Sequence, residues 1–206
     1  MVRFSRALVA FVFGLFFLAG GLQASEFRAG EHYEVLEQPL PEGVAPVTEF
    51  FYYGCRACYQ LADAIAAWSQ ENDIPVGLVP AHTENNLVDA ARLYHTLAVV
   101  GRLDLYKAGF VLFQTEKSDL QGEDRINAFL AEQGVDQNLF WQSWKGEEVS
   151  RRLAGSYMLT RTAGILNTPS FVVHGRYKVD TSVIHSVEEL FALLQYLVDL
   201  GAAEGA

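Results

Sequence analysis

Only two cysteines stand among 206 residues, so no disulfide framework holds this chain together. Charge is thin as well. Asp, Glu, Lys and Arg make up 19% of the chain, and 25 acids against 15 bases leave a net charge of −10, a poor basis for binding nucleic acid or anionic lipid. There is no internal repeat and no low-complexity segment. The five histidines, His32, His82, His95, His174 and His185, offer no metal-type pair in the sequence. Apolar residues are plentiful. Half the chain is hydrophobic and 13% is aromatic, enough to bury a sizeable core in one or two domains.

The first 24 residues read as a leader rather than as part of the fold. Arg3 and Arg6 form a basic head, Ala7 to Leu22 is an uncharged apolar run of 16 residues, and Leu22-Gln23-Ala24 ends on a small residue. This is the layout of a cleavable secretory signal peptide. The rival reading, a retained membrane anchor, needs a longer run of roughly 18 residues. No cysteine lies near the cut to carry a lipid. Cleavage removes two bases and no acid, so the remaining 13 basic and 25 acidic residues carry −12. Export places the cysteines where disulfides persist.

Periodicity then orders the elements. Tyr33 to Leu36 reads as a short edge strand and Val47 to Tyr53 as a strong one; a helix follows from Cys55 to about Asn72, then a buried strand from Pro75 to Val79. Strand, helix, strand is the unit of parallel α/β sheets. From Asn85 to about Gly164 the texture is helical, with segments at Leu87–Val100, Leu103–Phe113, Asp124–Gln133, a short helix capped by Asp136, and Glu147–Ala163. Strand texture returns at Ser170–Val173 and, after a turn at His174-Gly175, at Tyr177–Val179. A last helix runs from Val187 to Leu200 with Gly201 past its end.

The chain is organised around Phe50 to Cys58, Phe-Phe-Tyr-Tyr-Gly-Cys-Arg-Ala-Cys. A strand breaks at Gly54 and both cysteines fall where a helix begins. A disulfide must be attacked by a thiolate, and an ordinary cysteine is mostly protonated at neutral pH. The unpaired N–H groups of a helix start favour the charged form at Cys55, and Arg56 adds a permanent cation. Cys58, one turn in, is the more buried and would resolve. A half zinc site and an inert buried pair are the bland alternatives. The first lacks two further ligands, and Gly54 and Arg56 make a poor apolar setting for the second.

With these residues in view, the chain resembles the DsbA family, the thioredoxin-fold disulfide oxidases of the bacterial periplasm, over nearly all of the sequence after the leader. Gly30-Glu31-His32-Tyr33 and Leu36-Glu37-Gln38-Pro39 are similar to the family's N-terminal segment, and Glu49-Phe50-Phe51 with Cys55 and Cys58 to its central strand and redox motif. Thr168-Pro169, Ser170 to Val173 and Gly175-Arg176-Tyr177 are similar to its second active-site loop and hairpin. The resemblance implies an α/β, thioredoxin-like fold with an inserted all-helical domain. Residues 25–84 and 165–206 would form the thioredoxin-like domain and 85–164 the insertion. It also implies that Pro169 is cis beside the cysteines, that the backbone of Thr168 is free to pair with an extended substrate while its side chain lies against Cys55, and that Glu49 lies beneath the pair and assists proton transfer with Cys58. A strand-end glutamate reaching solvent is the plainer reading of Glu49. Arg56-Ala57 departs from the family's usual Pro-His, and Thr168 from its usual valine.

The function expected is thiol:disulfide interchange that introduces disulfides into exported proteins through Cys55 and Cys58, without a cofactor. Implied partners are reduced or unfolded exported proteins and a membrane quinone reductase of the DsbB type as reoxidant, with the protein itself a periplasmic monomer. A reductase or isomerase on the same fold is the second reading, favoured by Arg56-Ala57 and Thr168. A holdase gripping unfolded chains is the third.

Overall fold

The computed structural model describes residues 27–82, 87–114 and 122–205. The leader at 1–24 and the boundary at 84/85 lie outside these residues. Five strands form one mixed sheet: β1 (Glu34–Val35), β2 (Val47–Phe51), β3 (Val76–Pro80), β4 (Ser170–Val173) and β5 (Tyr177–Asp180), in the order β1-β5-β4-β2-β3. β2 runs parallel to β3 and antiparallel to β4, and β5 pairs antiparallel with both β4 and β1. The parallel pair is joined by helix α1 (Arg56–Asn72), and the β4–β5 hairpin turns at His174 and Gly175, both at positive φ.

β2 lies inside the sheet, and all five of its residues are buried. Its alternation sorts the core. Val47 shares a cluster with Phe171, Val173 and Val179, covered by Leu61, Ile65 and Trp68 of α1 and by Leu190, Leu193, Leu194 and Leu197 of the C-terminal helix. Phe50 and Val172 face the other way, onto Leu40, Ala81 and Ala163. Phe51, at the end of β2, belongs to a third cluster with Tyr53, Cys58, Leu93, Phe110, Leu130 and Phe140.

The described residues between β3 and β4 form five helices, α2 (Val88–Val99), α3 (Tyr106–Gln114), α4 (Glu123–Glu132), α5 (Gln137–Trp144) and α6 (Glu147–Thr162), and the third cluster draws largely on the first four, while Val149 and Leu153 of α6 pack with Ala91. Asp136 caps α5 as its sequence position suggests, accepting from the N–H groups of Asn138 and Leu139. Acids at 147 and 148 open α6 and Arg161 closes it, matching the helix dipole. The Leu103–Phe113 segment is more broken than its sequence texture, a 3₁₀ turn at Leu103–Leu105 leading into α3.

One element departs clearly from expectation. Helix α7 spans Val187–Glu204 and runs straight through Gly201, which its sequence position marked as a stop. A Cβ at Gly201 would overlap the ring of His174, so this glycine serves a close helix–hairpin approach. The left-handed cap is Gly205, at φ 76°.

Candidate active site

β2 ends at Phe51 and the chain turns sharply, the N–H of Cys55 donating to the Tyr52 carbonyl at 2.8 Å. Cys55 is then the N-cap of α1, with extended backbone (φ −79°, ψ 109°), and its sulfur accepts the N–H of Cys58 at 3.0 Å. Cys55 and Cys58 are joined as a disulfide, their Cα atoms 5.3 Å apart. The two sulfurs have unlike settings. Cys58 is wholly buried among aromatic side chains, while Cys55 is partly exposed and Arg56 and Ala57 are exposed. An incoming nucleophile therefore reaches Cys55 first.

The loop before β4 closes the other side. The Thr168–Pro169 peptide is cis, and the Thr168 carbonyl oxygen lies 3.3 Å from the Cys55 sulfur. A disulfide sulfur carries no hydrogen, so this is a contact in the oxidised protein; a thiol there can donate. The backbone carbonyl of Thr168 thus meets the sulfur. The hydroxyl of Thr181 donates to the Pro169 carbonyl at 2.6 Å, and that of Ser170 to Asn167 at 2.8 Å, which fixes the loop. Among the described residues the N–H of Thr168 has no hydrogen-bond partner. Two residues earlier Leu166 is 90% exposed beside this edge, a feature no sequence pattern singled out.

Glu49 does not reach solvent. It sits mid-strand in β2, level with Leu78 and Phe171, on the face it shares with Val47 and Phe51, and is completely buried. Among the described residues neither carboxyl oxygen has a hydrogen-bond partner, nor do the buried hydroxyls of Tyr53 and Tyr106. Burial pushes the Glu49 carboxyl up to about 8, so it is largely protonated at neutral pH and titrates within the physiological range. Its charge in turn helps push Tyr94 and Tyr106 upward, behind the larger effect of their own burial.

The rim joins α1 to the inserted helices. Lys107 of α3 pairs with Asp63 of α1 and stands 5.6 Å from the ring centre of Tyr59. Gly109 leaves room for the Tyr53 ring, since a Cβ there would overlap it. From the end of α3, Gln114 reaches back to the turn itself and donates to the carbonyls of Tyr53 and Cys55 at 3.0 and 3.1 Å. Nothing in the sequence marks Gln114, because its partners are backbone atoms some sixty positions away. Gly54, Arg56, Tyr59, Gln60 and Gln114 line an open concavity on this side.

Residues 45–197 match the model of the DSBA-like thioredoxin domain, nearly three quarters of the chain. The chain belongs to this family. Among characterised relatives, the thiol:disulfide interchange protein DsbA of Burkholderia cepacia is 30% identical over 191 residues, covering 88% of this chain and 90% of that one. DsbA of Pseudomonas aeruginosa is 28% identical over 183 residues, and its crystal structure superposes with a TM-score of 0.79 at 26% identity, covering 88% of this chain and 98% of that one. The oxidoreductase DsbA of Xylella fastidiosa gives a TM-score of 0.75 at 27% identity over 85% of this chain and 98% of that one. The DsbA-family fold, a thioredoxin-like sheet carrying a helical insertion, is thus the fold expected from the sequence. No helix among the described residues is long and apolar enough to cross a membrane.

Proposed function

We propose that this protein introduces disulfide bonds into exported proteins, with Cys55 as the attacked sulfur and Cys58 as the resolving one. The observation that carries this reading is the asymmetry of the pair: Cys55 caps α1, accepts the Cys58 N–H and is partly exposed, whereas Cys58 is wholly buried. A thiolate of a reduced substrate attacks Cys55, the Cys55–Cys58 bond breaks, and Cys58 leaves as a thiolate that takes up a proton. The buried Glu49 carboxyl, protonated at neutral pH, is the candidate donor. A second substrate thiolate then attacks the substrate sulfur of the mixed disulfide, and Cys55 leaves as the thiolate that the helix start stabilises. Two electrons pass to the protein and the substrate is bridged.

The substrate edge in this reading is Thr168, whose unpartnered N–H suits a strand added from an extended chain, with Pro169 packed behind it. Arg56 and Ala57 tune the Cys55 thiolate, and Arg56 does so weakly because its long side chain is solvated. The same reading takes residues 1–24 as a signal peptide to the periplasm, residues 85–164 as the insertion between 25–84 and 165–206, and a DsbB-type quinone reductase as the reoxidant of a monomer. The test is transfer of the disulfide itself. Oxidised protein mixed with a reduced, unfolded substrate should lose one disulfide per two substrate thiols consumed, and Cys55→Ser should transfer none. Suppressed aggregation without thiol loss, unchanged when both cysteines are replaced, would establish the holdase reading instead.

A further inference from the structure

The turn that presents Cys55 is not held by its own domain alone. We propose that Gln114 is a positioning residue of the redox turn, whose side-chain amide favours the Cys55 thiolate by donating to the two carbonyls that flank Gly54. The inference rests on the reading of Cys55 as the attacked sulfur.

The donor inventory fits the site. A primary amide has two hydrogens, and the Gln114 amide nitrogen lies 3.0 Å from the Tyr53 carbonyl oxygen and 3.1 Å from that of Cys55, one hydrogen for each. The flipped amide would aim an oxygen at two oxygens, so only this orientation is favourable. The Cys55 carbonyl also receives the Tyr59 N–H at 3.2 Å, but Gln114 is the sole donor to the Tyr53 carbonyl among the described residues. The residue that reaches in is itself well anchored. Phe110 and Phe113 of the same helix pack on the Tyr53 ring, at 5.1 and 5.7 Å between centroids, and Lys107 ties α3 to Asp63 of α1.

The electrostatic consequence differs between redox states. Carbonyl oxygens carry partial negative charge and oppose a thiolate beside them; a proton donated to each offsets that opposition. The disulfide is neutral and gains nothing comparable. The amide therefore stabilises the reduced, thiolate form selectively and makes the Cys55–Cys58 disulfide a stronger oxidant. The helical insertion thereby contributes to redox balance at a site it does not itself contain.

Two substitutions test this against a merely structural role. Gln114→Met keeps the length and removes the donor; Gln114→Glu keeps the shape and faces two carbonyls with a carboxylate. We expect the equilibrium with glutathione to become about 3- to 10-fold less oxidising in Gln114→Met and further displaced in Gln114→Glu, with the thiolate absorbance of Cys55 moving to higher pH in the same order. Both readouts staying within about two-fold of the parent, whatever happens to the melting temperature, would overturn the proposal. Cys55→Ser is the control that separates the two levels. Disulfide transfer surviving that change would remove the site reading and this inference with it. An inactive Cys55→Ser beside unshifted Gln114 variants would remove this inference alone.

Discussion

Two buried polar sites in this molecule differ in how far their polar atoms are paired. Near the junction of β3 and the inserted helices, His82 and His95 both direct Nε2 to the hydroxyl of Ser156, at 3.2 and 3.0 Å, and Ser156 and His82 also reach the Leu153 carbonyl, each at 3.1 Å. On the β2 face that continues toward the redox pair, Glu49 is at least as buried and its carboxyl has no hydrogen-bond partner among the described residues. The histidine node is paired through both Nε2 atoms and the Ser156 hydroxyl and leaves one buried atom, His82 Nδ1, without a partner among the described residues, whereas both oxygens of Glu49 are orphaned, which is costly for a buried carboxyl. A carboxyl with neither oxygen paired is the stronger candidate for proton chemistry.

The comparison breaks outright if its two sites prove interchangeable, and the largest test is at the redox pair. Cys55→Ser should abolish disulfide transfer, measured as loss of substrate thiols, while Ser156→Ala should leave the transfer rate unaltered. Glu49→Leu comes next, and the two effects should run in opposite directions: transfer slowed about 100-fold at neutral pH, from loss of the proton donor, and stability at pH 8 raised by about 3 kcal/mol. The sign follows from the raised carboxyl. Its contribution to stability is complete below the unfolded value near 4.5 and is lost as pH rises toward 8, so urea unfolding of the parent should weaken over that window and Glu49→Leu should flatten it.

The histidine node should show the reverse window with a smaller effect. Burial first, then Arg152 and His82, hold His95 down at about 4, so its contribution to stability is complete above 6.5 and is lost as pH falls toward 4. Ser156→Ala should cost about 1–3 kcal/mol in urea unfolding at pH 7, because the buried His95 Nε2 loses the hydroxyl it meets while His82 Nε2 keeps only the Leu153 carbonyl. A Ser156→Ala variant that kept full stability but lost transfer would reverse the assignment of the two sites. The smallest expected effect is at the exposed Arg56. Arg56→Ala should move the thiolate absorbance of Cys55 only slightly to higher pH, by less than Gln114→Met does, because water screens the guanidinium.

What was legible in the sequence and what was not divide along a physical line. Local signals carried through. The apolar run of β2, the Asp136 cap and the acids opening α6 act within one or two turns of themselves, and the elements stand close to where those signals put them, although β2 ends at Phe51, two residues before the expected Tyr53. Cys55 and Cys58 were legible for the same reason, since a helix start is a local event. The misreading of Gly201 came from a contact with His174, across 27 positions, that outweighs the glycine's local preference. The meeting of His82 and His95 at Ser156 and the reach of Gln114 to two carbonyls were illegible because backbone atoms and distant side chains leave no periodicity to read. The cis peptide before Pro169 came only through family resemblance, as did a proton-transfer role for Glu49.

The central claim concerns which way electrons run through Cys55 and Cys58. It is tested most directly by equilibrating the pair with reduced and oxidised glutathione and reading the fraction of disulfide. A thiolate held by the Cys58 N–H at the start of α1 predicts a potential well above about −180 mV, that of a disulfide donor. A value near about −270 mV, where thioredoxin works as a reductant, would contradict the account and turn Arg56-Ala57 and Thr168 into the marks of a reductase.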